Sequence, residues 1–242
     1  SVVLTAIAQF VHDQCTAAVI FYAMGFFAHY LFDRTAHPYI NFWVEKKKSQ
    51  LPERYTEDML HNFLESQLDV VMARQMEGIT AGELDIAATV PQNAEVQAMI
   101  ARLYSLLCRD CLHRRAEEKE LMQATEDCRK TFRFLTDPSG WKRTMIGGAE
   151  RLTGQGIPVT CHIRGKGGGE DYANQKGERW YYPQAPEKIS SFSFLDLFRE
   201  ARRQFLALLP EFARQWKRPS LEGMKELTGD LSFETGLPVE NG

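Results

Sequence analysis

The sequence predicts an all-α fold, a multi-helix bundle around a central buried helix near residues 15–37. Three observations carry that expectation. Apolar residues recur at helical spacing in the segments 2–36, 56–72, 93–135 and 194–216. Residues 14–32 carry no formal charge, as suits a helix buried on most of its faces. Strand signals, in contrast, are few and short.

Length and composition set the outer limits. A chain of 242 residues makes one large domain or two small ones. A hydrophobic content of 44% with 25% charged residues is ordinary for a globular protein. The formal charge of −3 offers no specific signal for nucleic acid or for an anionic membrane surface. Five irregularly spaced cysteines do not form a secreted disulfide framework. With no basic n-region of a signal peptide at the start, the expected location is cytoplasmic. The uncharged run approaches the ~20 residues of a membrane span. His29 lies within it and Asp33 closes it, so a buried helix is expected and no transmembrane span.

Taken in order, residues 2–36 read as one long helix or two joined ones. Pro38 is expected to stop it, because proline lacks an N–H and disfavours a helical residue before it. His12 reads as a surface or packing residue. Residues 44–56, with Lys46-Lys47-Lys48 and Pro52, read as a loop with a solvated basic face. A second helix starts near Thr56, which offers an N-cap in Thr56-Glu57-Asp58-Met59. Residues 78–92 are a connection. Residues 93–135 form a long helix or a pair, with Leu103, Leu107, Leu112 and Leu121 on the apolar side. Cys108-Arg109-Asp110-Cys111 lies in that helical pattern, where two packed cysteines are expected rather than a zinc or redox motif.

Asp137-Pro138-Ser139-Gly140 signals a turn, and 141–153 a short helix. Residues 154–187 read as loop. Their Gly165-Lys166-Gly167-Gly168-Gly169 run lacks the order of a phosphate-cradling loop. The aromatic cluster Trp180-Tyr181-Tyr182-Pro183 follows. Ser193-Phe194-Leu195-Asp196 is a capping box for a last helix, 194–216. The expected division is a single helical metal-binding domain over 1–216 and an extended or flexible tail over 217–242.

Two polar stripes carry the chemistry. His29, Asp33 and His37 stand at i, i+4 and i+8, which stacks them on one helix face. His61, Glu65 and Asp69 repeat the spacing on the second helix. Imidazole nitrogen and carboxylate oxygen are the donors zinc takes when thiolates are absent. The metal-ligand candidates are therefore His29, Asp33, His37, His61 and Glu65. Five ligands fall short of two full sets unless Asp33 bridges two ions. Asp69 is placed behind the ligands, where it would orient a histidine. Paired ions about 3.5–4 Å apart suit phosphoester hydrolysis.

Residues 22–40, Tyr-Ala-Met-Gly-Phe-Phe-Ala-His-Tyr-Leu-Phe-Asp-Arg-Thr-Ala-His-Pro-Tyr-Ile, resemble the core motif of the bacterial zinc-dependent phospholipase C family. That motif runs Gly-Phe, then His-Tyr-x-x-Asp, then His-Pro-Tyr. His61-x-x-x-Glu65 is similar to the family's second motif, and the Trp180–Phe194 region more loosely to its C-terminal part. The resemblance implies an all-helical zinc hydrolase fold, shared with single-strand nucleases. It implies that His29 and Asp33 serve one metal pair, with Asp33 bridging and catalytic. His37, His61 and Glu65 would then surround another zinc. One to three zinc ions are implied.

Two features depart from the family pattern. The gap between Asp33 and His37 is shorter than in the secreted enzymes, and their N-terminal ligands have no clear counterpart here. The His37–His61–Glu65 set is expected to be complete within this chain, and the His29–Asp33 set to need ligands from elsewhere. The function implied is a phospholipase C-like phosphoesterase that hydrolyses a phosphodiester, a phospholipid or another, with a metal-bound hydroxide. Peripheral membrane contact stays open. The alternatives are a non-catalytic helical scaffold or binding protein with a structural zinc, and a nuclease of the same fold.

Overall fold

Eight α-helices and one two-stranded antiparallel sheet make up the described residues, 1–80, 82–165 and 169–239, of a computed structural model. The mainly helical class expected from periodicity is what the chain adopts. Residues 166–168 of the glycine-rich run lie outside the described residues. The chain divides into two compact units. One comprises residues 1–35, 90–128 and 198–242; the other comprises 36–89 and 129–197.

The first unit begins with α1 (Val2–Gln14), which ends where Cys15 turns left-handed at φ 39° and returns its N–H to the Val11 carbonyl. The two-helix reading of 2–36 is therefore the right one. α2 (Ala17–Lys48) follows and gives its residues up to Thr35 to this unit. α4 (Ala94–Cys111) starts at Asn93, whose side chain accepts the N–H groups of Glu95 and Val96. α5 (Glu118–Leu135) buries none of its residues, and Leu112 between the two helices is 60% exposed. The expected apolar side thus narrows to Leu103 and Leu107, which are buried. Cys108 and Cys111 are half-buried free thiols on α4. His12 is exposed, and its Nδ1 donates to the Trp216 carbonyl at 2.9 Å.

Phe27 of α2 stacks on Phe212 of α7 (Phe194–Gln215) with ring centroids 4.2 Å apart. Around that pair close Ile7, Val11, Leu31, Leu103 and Met224. α7 starts as its capping box predicts. The Ser193 N–H and hydroxyl both donate to Asp196 Oδ2, and the Asp196 N–H returns to Ser193 Oγ. The expected buried face of α2 needs correction at Phe21 and His29. Phe21 is 71% exposed and the His29 side chain 69%.

The tail expected over 217–242 instead contains α8 (Leu221–Thr228), capped by Ser220 Oγ, which accepts the Gly223 N–H at 3.1 Å. Eight residues are too few to hold a helix alone. Burial of Met224 and Thr228 supplies what propensity does not. Buried Arg34 donates to the Thr228 carbonyl at 2.7 Å and to Gln204 Oε1 at 2.8 Å, and Tyr30 donates to the Leu231 carbonyl at 2.7 Å.

The second unit opens with the largest departure from expectation: α2 runs through Pro38 to Lys48. Proline inside a helix costs about 3 kcal/mol, through a lost hydrogen bond and a clash with the carbonyl four residues back. The turns beyond it offset that cost by burying Tyr39, Ile40, Trp43 and Val44. The first five residues of the loop expected over 44–56, up to Lys48, are therefore helix. Its three lysines form a last turn, where positive charge suits the helix dipole.

α3 (Glu57–Met72) starts at Thr56, which accepts the Met59 N–H as read from the sequence, and buries Leu60, Leu64 and Leu68. A single π-helical turn, Ala73–Glu77, ends it. The predicted short helix is α6 (Trp141–Thr153). The expected loop 154–187 holds a 3₁₀ turn at Thr160–His162 and the sheet strand β1 (Trp180–Tyr182), which pairs with β2 (Ala185–Ser190). Tyr39 packs edge-on against Trp180 at 5.2 Å and accepts the Trp43 indole N–H at 2.7 Å. No helix among the described residues is long and apolar enough to cross a membrane.

Candidate metal centre

The continuity of α2 through Pro38 decides where His37 stands. It is held inside a helix whose following turns are buried, not at a fraying end. Its side chain is 12% exposed and faces α3, where its ring lies edge-on to His61 with centroids 5.3 Å apart. On α3 the i, i+4 spacing brings His61 Nε2 to 3.2 Å from Glu65 Oε1. The same Glu65 oxygen lies 4.0 Å from His37 Nε2. The ligand atoms of His37, His61 and Glu65 all fall within 4.8 Å of one another. They are the sole such group of three among the described residues.

The donor set can be tested against zinc. Bonds of 2.0–2.2 Å in tetrahedral array put neighbouring ligand atoms about 3.3 Å apart. Of the three spacings, the His61–Glu65 one at 3.2 Å already matches, the His37–Glu65 one is 4.0 Å, and the His37–His61 one lies within 4.8 Å. Glu65 is 44% exposed, which leaves one side of the group open to solvent. Two imidazoles and a carboxylate are also a ligand set found in catalytic zinc sites. The residues fit the ion.

The remaining predicted residues are placed differently. His29 and Asp33 pair with each other, Nε2 to Oδ2 at 3.1 Å, and belong to no such group of three among the described residues. Asp69, expected to orient a histidine, binds Arg164 instead. The Arg164 Nε donates to Asp69 Oδ2 at 2.7 Å, and Nη2 to the same oxygen at 2.5 Å. A guanidinium within reach captured the carboxylate, and nothing in the α3 sequence signals a partner 95 residues away.

A residue that sequence reasoning missed builds the support behind α3. Buried Glu150 on α6 accepts the N–H groups of Val159 at 2.6 Å and Thr160 at 3.1 Å, and also the Thr160 hydroxyl. It thereby caps the 3₁₀ turn at Thr160–His162. That turn returns the Cys161 carbonyl to Ser66 Oγ of α3 at 2.7 Å and leads directly into Arg164. Burial, with the Glu150 charge second, pushes the Cys161 thiol up to about 11, so it stays an inert packing group. α6 itself is held at its start by Asp137, which accepts the Arg143 N–H at 2.9 Å.

Comparison with protein-family models, with curated proteins and with solved structures finds no match to this chain.

Proposed function

We propose that the chain is a zinc-dependent phosphoric ester hydrolase, phospholipase C-like, and that His37, His61 and Glu65 hold the ion. One observation carries this reading: three ligand atoms of the right chemistry, drawn from two helices, converge within 4.8 Å with one side open. Zinc in a three-ligand setting supplies Lewis acidity toward a phosphoryl oxygen and makes water acidic enough to react near neutral pH. The chain's own residues do the rest. His37 and His61 present imidazole nitrogens, and Glu65 presents a carboxylate oxygen. Asp69, one helical turn from Glu65, binds the Arg164 guanidinium.

The open side favours an enzyme over a closed structural site, which takes four protein ligands. The test is zinc titration by calorimetry, followed by hydrolysis of bis(p-nitrophenyl) phosphate and of short-chain phosphatidylcholine. The expected result is tight zinc binding and zinc-dependent turnover that EDTA abolishes. Zinc bound tightly without turnover on either ester, or on single-stranded DNA, would establish the scaffold reading instead. No zinc binding would end both.

A further inference from the structure

The first unit contains a feature the zinc reading does not use. A cavity of about 960 Å³ opens beside α2, at the large end of the range for small-molecule sites. Five large apolar residues that are at least 42% exposed, Val2, Phe21, Leu221, Phe233 and Val239, all line it. Such a concentration of exposed apolar surface marks a binding site more often than chance scatter does.

The wall formed by α2 is graded along its length. Phe21, Gly25 and Phe26 make one end, and His29 and Asp33, one and two turns further, make the other. Gly25 stands in mid-helix, where glycine costs stability relative to alanine. A Cβ added there would meet nothing within 4 Å, so packing does not require the glycine. What its missing side chain provides is room in the cavity. The charged groups of the lining are matched within it. His29 faces Asp33 at 3.1 Å, and Lys225 lies 3.5 Å from Asp230. The Lys225 and Ser1 ammonium groups, both 3.5 Å from Asp230, stand against the Asp230 and Asp33 carboxylates, so the lining offers an ionic head group no net opposite charge, whereas a hydroxyl can both donate to and accept from the His29–Asp33 pair.

We propose that this cavity binds an uncharged single-chain amphiphile, an aliphatic alcohol or monoacylglycerol, with its chain along Phe21, Gly25 and Phe26 and its hydroxyl at His29–Asp33. The proposal is independent of zinc at His37, His61 and Glu65. It is tested on the full chain with EDTA present, so failure of either reading leaves the other standing.

The experiment is calorimetric titration with 1-decanol below its solubility limit and with decanoate and decyltrimethylammonium below their micellar concentrations. Decanol should bind saturably, one per chain, and both ions at least tenfold more weakly. Gly25→Leu fills the cavity and improves helix propensity. It should weaken decanol at least tenfold with an unchanged or raised Tm. Phe21→Asp, at an exposed rim position, should also weaken decanol by severalfold and serves if Gly25→Leu does not fold. Equal affinity for all three amphiphiles, non-saturable uptake, or decanol binding unchanged in folded variants would overturn the proposal.

Discussion

Two histidine–carboxylate pairs in this molecule share one local geometry. His29 and Asp33 sit four residues apart with donor atoms at 3.1 Å; His61 and Glu65 sit four residues apart at 3.2 Å. The helix supplies that much from spacing alone. They differ in what stands opposite. His61 and Glu65 face His37 from another helix, and the His61 side chain is 26% exposed. His29 is 69% exposed, and no third metal-ligand atom completes a group with the pair among the described residues. An i, i+4 pair is therefore common and cheap, whereas a third donor costs a fold. It needs α2 to continue past Pro38 and α3 to be held in register beside it.

The largest expected effect sharpens this comparison directly. Glu65→Gln keeps the shape of the side chain and removes the charge. It should weaken zinc by more than 100-fold, beyond the ~10–100-fold that residues behind the ligands typically cost. Asp33→Asn, the same change in the other pair, should leave that zinc affinity within twofold. Competition against a chelator of known affinity measures both. Equal losses in the two variants would mean that the pairs serve one site.

The sequence made the pairs legible and left their contexts hidden. Spacing sufficed for His61 and Glu65, and cap chemistry sufficed for Thr56, Asn93 and Ser193, because those signals act within one or two turns. Pro38 misled because a local penalty of about 3 kcal/mol was weighed without the tertiary burial of Tyr39, Ile40, Trp43 and Val44 that opposes it. α8 misled for the same reason, since its stability comes from buried Met224 and Thr228 and not from the glycine- and proline-rich segment itself. The partner of Asp69, Arg164, is adjacent to it only in space, beyond the reach of any helical spacing.

A second expected effect concerns the support that the His61–Glu65 pair has. Glu150 satisfies three donors at the 3₁₀ turn that bonds to Ser66 of α3. Glu150→Gln leaves an amide where a buried carboxylate accepted, and the unsatisfied donors cost about 1–3 kcal/mol. Urea unfolding should register that loss. Zinc affinity should fall by about tenfold as α3 loosens, while the His29–Asp33 pair, read by the imidazole NMR shifts of His29, should not change. A zinc affinity untouched by this variant would show that α3 needs no help from the turn.

The smallest effect lies one step further back, at the start of α6, and depends on pH. Burial opposes the charge on Asp137, yet donation from the Arg143 N–H, the Ser139 hydroxyl and the N–H groups of Lys142 and Gly140 outweighs it and holds the carboxyl below the usual aspartate range. A carboxyl whose pKa is lower folded than unfolded binds fewer protons in the native state. Its contribution is therefore present above the unfolded value of about 4 and fades as pH falls through the lower folded value. Asp137→Asn should cost about 1 kcal/mol at pH 7, the usual worth of a helix cap. The gap to the unsubstituted chain should narrow below about pH 4, where the natural carboxyl itself becomes protonated. Urea midpoints at pH 7, 5 and 3.5 give the three points needed. A gap that stays constant across them would assign the effect to shape alone and remove the charge of Asp137 from the support of α6, leaving Glu150 as the nearest carboxylate on which the position of α3 depends.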